Sequence, residues 1–153
     1  MINILENISL FEGLDYAVLA DISVMCSRHE FSDGDVLISE TDKDNRDLYL
    51  LIDGNVEILS INRSSACGEV VISKQDKDVF GEVGWLTDQS RTATIRANGA
   101  VEAVKIDGNQ LMEYMEKNPG IGFVLARRVA RLLAERLKIT DDLLKQILWS
   151  GCV

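Results

Sequence analysis

The chain has 153 residues, enough to bury a core without a disulfide or metal staple. Hydrophobic residues make up 46% and charged residues 27%, a globular balance that argues against disorder. A net charge of −9 excludes a protein whose whole surface grips DNA, RNA or anionic lipid. Cys26, Cys67 and Cys152 are scattered and odd in number, which reads as a set of reduced thiols in a cytoplasmic protein. Residues Met1 to Glu6 have no basic region of a secretory signal, and no apolar run approaches the roughly 20 residues of a membrane span.

The first element in chain order is helical. Phe11, Leu14, Val18, Ile22 and Met25 recur at spacings of three and four, which predicts a helix from about Asp15 to Ser27. From Arg28 to Asp107 the texture is that of short strands. Asp33-Gly34, Asp53-Gly54 and Asn98-Gly99 each suit a tight hairpin turn, and between them lie runs such as Val36-Leu37-Ile38, Leu48 to Ile52, Val56-Glu57-Ile58 and Val70-Val71-Ile72. The polar stretches Thr41 to Asp47 and Asn62 to Gly68 read as loops. Closely spaced strands of this kind predict an antiparallel sandwich, barrel or roll.

After Ile106 the helical period returns. Asp107 and Gln110 have the spacing of a capping box, opening a helix to about Lys117. Asn118-Pro119 breaks it, and a long helix follows to about Leu148. Its apolar positions include Ala126, Val129, Leu133 and Leu137, the expected seam of a homodimer. The fold class is therefore α+β, a single domain over 1–153 with its β-roll at about 28–107 and its C-terminal helices at about 107–148.

The segment from Phe80 to Ile95 carries the chemistry. Gly81 and Gly84 let backbone approach a ligand closely, and Val83-Gly84-Trp85-Leu86 suits one helical turn whose N-terminus favours an anion. Arg91 shares strand parity with Ala93, Ile95 and Ala97. If that face is interior, the guanidinium needs a counter-charge, either Glu82 or a bound anion such as a phosphate. Spacing equally permits a surface arginine paired with Asp88 or water.

These motifs resemble the cyclic-nucleotide-binding domain family, which includes catabolite activator proteins, protein kinase A regulatory subunits and cyclic-nucleotide-gated channels. Phe31-Ser32-Asp33-Gly34-Asp35-Val36-Leu37 is similar to the family's early turn, and Leu48 to Val56 to its Y-x-I-x-x-G-x-V segment. Phe80-Gly81-Glu82 with Arg91-Thr92-Ala93-Thr94-Ile95 is similar to its phosphate-binding cassette. Glu40-Thr41-Asp42 departs from the usual E-G-D turn.

The resemblance implies a jelly-roll-like β-roll and a ligand set of Gly81, Glu82, Val83, Gly84, Trp85, Arg91, Thr92 and Ala93. Glu82 would accept the ribose 2′-hydroxyl, Arg91 would bind the cyclic phosphate, and Gly81, Gly84 and Trp85 would offer backbone N–H groups. Thr92 would contact phosphate or purine without deciding between cAMP and cGMP. Arg131 or Arg136 could reach the purine from the last helix, whereas Trp149, which could stack on the base, reads rather as the apolar end of a dimer helix.

Five basic residues, Arg127, Arg128, Arg131, Arg136 and Lys138, stand near Glu135 and read as a solvated face rather than a nucleic-acid surface. His29, the sole histidine, reads as structural. No base, nucleophile or metal constellation marks an enzyme. The expectation is a stand-alone regulatory domain that binds cAMP or cGMP, needs no metal, signals through its C-terminal helix to an unknown downstream protein, and contacts neither nucleic acid nor membrane. The alternatives are a degenerate non-binding dimerisation module, or the sensor part of a transcription regulator lacking its DNA-binding domain. Five residues after Leu148 leave no room for a helix-turn-helix.

Overall fold

The computed structural model describes residues 1–60, 70–74, 79–87, 91 and 93–151. It divides into two compact units, Met1–Glu113 and Tyr114–Val153. The first opens with two helices, α1 (Ile2–Leu5) and α2 (Tyr16–Ser23). Asp15 is the N-cap of α2, as expected, but the helix stops four residues before Ser27 because Cys26 already belongs to a strand. The strands are β1 (Cys26–Phe31), β2 (Val36–Ile38), β3 (Leu48–Ser60), β4 (Val70–Lys74), β5 (Val79–Phe80) and β6 (Thr94–Ile106), with helix α3 (Glu82–Leu86) between the last two.

Every strand pairing is antiparallel, and β3 and β6 are the spine. The first part of β3 and the last part of β6 pair with β5 and β1 respectively. The far part of β3 pairs with β4, and the start of β6 with β2. Two glycine motifs therefore do something other than the hairpin turns expected of them. Asp53-Gly54 and Asn98-Gly99 lie inside these two long strands, where the β3–β6 register shifts between Leu51 and Asn55. Both glycines hold positive φ, +97° and +82°, and act as bulges that bend the paired strands. Only Asp33-Gly34 is a turn, and the strands it joins both pair with β6 rather than with each other.

The bulge also changes which β3 residues face the core. Tyr49 and Leu51 face it before Gly54, and Val56 faces it afterwards, a one-residue shift of parity. They pack with Leu37, Ile38, Phe80, Ile95, Ala97 and Val101, drawn from both ends of the spine. The expected loop at Thr41 to Asp47 is a loop. The one expected at Asn62 to Gly68 lies outside the described residues, as do Cys67, Asp88, Thr92 and Cys152.

Helix α4 (Gly108–Lys117) begins at the expected cap. Gln110 N–H donates to Asp107 Oδ1 at 3.0 Å, and the Gln110 side-chain amide donates to Oδ2 at 2.9 Å. The Asp107 N–H donates to Met25 O instead of to the box. In the second unit, α5 (Pro119–Ser150) follows an Asn118 break. A Cβ on Gly122 would stand 2.6 Å from Met115 O, so the two helices turn tightly there.

Candidate functional site

Helix α3 is built on Gly81, whose φ of +88° suits glycine and little else. Its first intrahelical bond runs from Trp85 N–H to Gly81 O, 3.0 Å, which leaves the earlier N–H groups of α3 outside the helical ladder. The Trp85 indole is buried and donates to Gly108 O at 2.8 Å. Among the expected N–H donors, that of Trp85 is thus engaged by the helix itself.

Arg91 is buried at 5% exposure, on the interior side with Ile95 and Ala97. This answers the question that spacing left open: the residue is not a surface arginine. Its Nη1 donates to Gly81 O at 2.9 Å, and its Nη2 to Asp47 O at 2.8 Å and to Asn45 Oδ1 at 3.1 Å. Buried Nε has no hydrogen-bond partner among the described residues. Burial pulls the guanidinium below its ordinary pKa, while Asp47, Tyr49, Asp42 and Glu82 act in the other direction. It stays charged at neutral pH, since arginine is effectively never deprotonated in proteins.

The cassette closes tightly round this side chain. A Cβ on Gly81 would lie 2.7 Å from Arg91 Nη1 and from Asp47 O, and one on Gly84 would lie 2.9 Å from Arg91 Cδ. Glu82, at 7% exposure, is the other buried charged residue among those described. Val83 and Ala93 are half-buried and Gly84 is buried. The fold thus gathers Gly81, Glu82, Gly84 and Arg91. It adds Asn45 and Asp47, which sequence reasoning placed only in a polar loop. A backbone carbonyl such as that of Asp47 leaves no mark in a sequence, and Asn45 belongs to no motif.

The sequence of residues 28–118 matches the family model for the cyclic nucleotide-binding domain, more than half of the chain. The chain belongs to the cyclic nucleotide-binding domain family. It is 30% identical over 103 residues to a cAMP-dependent protein kinase regulatory subunit of Mycosarcoma maydis, covering 67% of this chain and 19% of that protein. It is 25% identical over 152 residues to a CRP-like cAMP-activated global transcriptional regulator of Mycobacterium tuberculosis, covering 98% of this chain and 64% of that protein. The chain therefore spans less than two thirds of the length of either relative. A solved structure from Geobacter metallireducens, described as cyclic nucleotide-binding, superposes with a TM-score of 0.74 at 29% identity over 87% of this chain and 95% of that one.

For a cyclic nucleotide-binding domain the geometry is chemically apt. A buried cation with a spare donor sits against two glycines and beside a buried carboxylate, so an anion and a hydroxyl can be held side by side. Among the described residues no cluster is suited to a metal ion, and no helix is long and apolar enough to cross a membrane. On α5, Arg131 and Trp149 are exposed, the latter at 79%, and Arg136 is half-buried.

Proposed function

We propose that residues 1–153 act as one regulatory domain that binds cAMP or cGMP in the cassette and signals by movement of α5. Arg91 binds the cyclic phosphate, Glu82 accepts the ribose 2′-hydroxyl, and backbone of Gly81 to Trp85 with Thr92 and Ala93 completes the pocket. The observation that carries this reading is the Arg91 guanidinium, buried against hydrogen-bond acceptors that are all neutral among the described residues. Burial still outweighs the pull of Asp47, Asp42 and Glu82 on this guanidinium, and an anionic ligand offsets the remaining cost.

Titration calorimetry of ligand-free, folded protein with cAMP and with cGMP tests it. Binding is expected with at least one nucleotide, lost in Arg91→Ala and weakened in Glu82→Ala. No heat with either nucleotide would leave the degenerate dimerisation module as the better account.

The α5 surface supports a homodimer. Ala126, Ala130, Leu133, Leu137, Thr140, Leu144 and Ile147 recur at alternating spacings of four and three, the repeat of a two-stranded seam. All are exposed except half-buried Leu133. Val129, expected in that seam, is buried, and the exposed row runs through Ala130 instead. A second reading, the sensor part of a larger transcription regulator, is supported by the alignment of 98% of the chain with the M. tuberculosis regulator.

A further inference from the structure

The hydrogen bonds of Arg91 do not all have the same standing toward a ligand. A guanidinium grips a phosphate bidentately through one of two forks, Nη1 with Nη2 or Nε with Nη2. Both forks need an Nη2 hydrogen. Nη2 carries two, and both are spent in this structure, one on Asp47 O at 2.8 Å and one on Asn45 Oδ1 at 3.1 Å. Among the described residues the N–H groups left over are that of Nε and one of the two on Nη1, and neither makes a fork without Nη2. One of the Nη2 bonds must therefore give way before a phosphate can be held by two parallel bonds.

The two acceptors differ in mobility. The Asp47 carbonyl belongs to the backbone at the entry to β3, one residue before Leu48, which pairs with Ile106. Withdrawing it means moving the strand. Asn45 Oδ1 belongs to a half-buried side chain in the loop, two residues earlier. It also accepts from Asp47 N–H at 2.8 Å, so it keeps a partner after releasing Arg91. Asn45 is uncharged, so it satisfies the hydrogen without cancelling the charge that attracts an anion.

We propose that Asn45 is a displaceable latch on Arg91, an acceptor that occupies Nη2 in the free protein and yields it to the ligand's phosphate. This rests on the proposed binding of a cyclic nucleotide at Arg91. A ligand that must break the latch binds less tightly than one that finds Nη2 free, because only the free state contains that bond. The latch thus sets affinity, and Asn45 is an affinity-determining residue rather than a contact to the nucleotide.

The test is calorimetric titration of the full chain with cAMP and cGMP in three forms. Asn45→Ser keeps a short hydroxyl that can accept from Asp47 N–H but cannot reach Arg91. It is expected to bind about tenfold more tightly than the wild type, the size of one hydrogen bond to a charged group. Asn45→Asp keeps the shape and charges the latch, and is expected to bind about tenfold more weakly. Thermal unfolding establishes that each variant is folded, and Asn45→Ala serves as a second latch-free form if the serine variant is not. A folded latch-free variant that binds as the wild type does, or more weakly, overturns the latch while leaving the binding function standing. A wild type that binds neither nucleotide overturns both.

Discussion

The Trp85 indole N–H donates to the carbonyl oxygen of Gly108 at 2.8 Å, tying the cassette helix to the first residue of α4. Gly108 is where it is because nothing larger fits. A Cβ there would lie 2.0 Å from Arg46 O and 2.7 Å from Trp85 Cδ1. Gly108→Ala is therefore expected to cost about 1–3 kcal/mol through forced backbone movement. Trp85→Phe, which replaces the indole with a smaller ring and drops the donor, is expected to cost about 1–3 kcal/mol. Urea unfolding midpoints measure both, and an unchanged midpoint in Gly108→Ala would contradict the close approach.

Gly84 separates binding from stability. Its alanine variant would place a Cβ 2.9 Å from Arg91 Cδ and 3.0 Å from Nη1, atoms of a flexible side chain that can retreat. The expected outcome is a folded protein whose cyclic-nucleotide affinity falls about tenfold or more as the guanidinium is displaced. Gly81→Ala differs, since its φ of +88° and the fixed Asp47 carbonyl make the damage structural. Side-by-side melting curves and titrations distinguish the two: Gly81→Ala should lower the melting temperature more than Gly84→Ala does.

Cys26 makes stability depend on alkaline pH. Burial pushes its thiol up from 9.0 to about 12, with the amino-terminal charge pulling the other way. Above pH 9 the unfolded chain releases this proton and the folded chain keeps it. The contribution is whole below about pH 9 and is lost as pH rises toward 12. Buried Tyr49 shifts in the same direction, so the wild type alone cannot apportion the effect. Denaturant unfolding of wild type and Cys26→Ala from pH 8 to 10.5 isolates it: the wild type should lose stability faster. Parallel curves would refute this account.

The exposed row on α5 predicts oligomeric state. Leu137→Ser with Leu144→Ser removes two large apolar residues that face solvent. In a homodimer through this row the double variant should be monomeric by light scattering at tens of micromolar, where the wild type is dimeric. A wild type that is already monomeric at that concentration removes the dimer from the proposal.

Much of the architecture was legible in the residue order. The helix–strand–helix layout, the Asp107–Gln110 cap and the Asn118-Pro119 break depend on neighbours within a few positions, where local propensity and capping act directly. The same locality explains the two misread turns. Asp53-Gly54 and Asn98-Gly99 have the chemistry of a hairpin turn, yet positive φ at glycine serves a bulge equally well. Which one forms depends on whether the flanking segments find partners continuing past the glycine. For β3 and β6 they find each other on both sides of it.

The site divides along the same line. The length and charge of the chain bounded what it could be, and the spacing of Phe80-Gly81-Glu82 and Arg91 was enough to mark the cassette and the residue types an anionic ligand needs. Whether Arg91 faced water or the interior depended on β6 pairing and on the glycines it packs against. What held it was decided only in three dimensions, since Asn45 and the Asp47 carbonyl lie more than forty residues away in sequence. Short-range chemistry is written in the order of the residues. The partners of a buried charge are fixed by which distant backbone groups the folded strands bring within 3 Å of it.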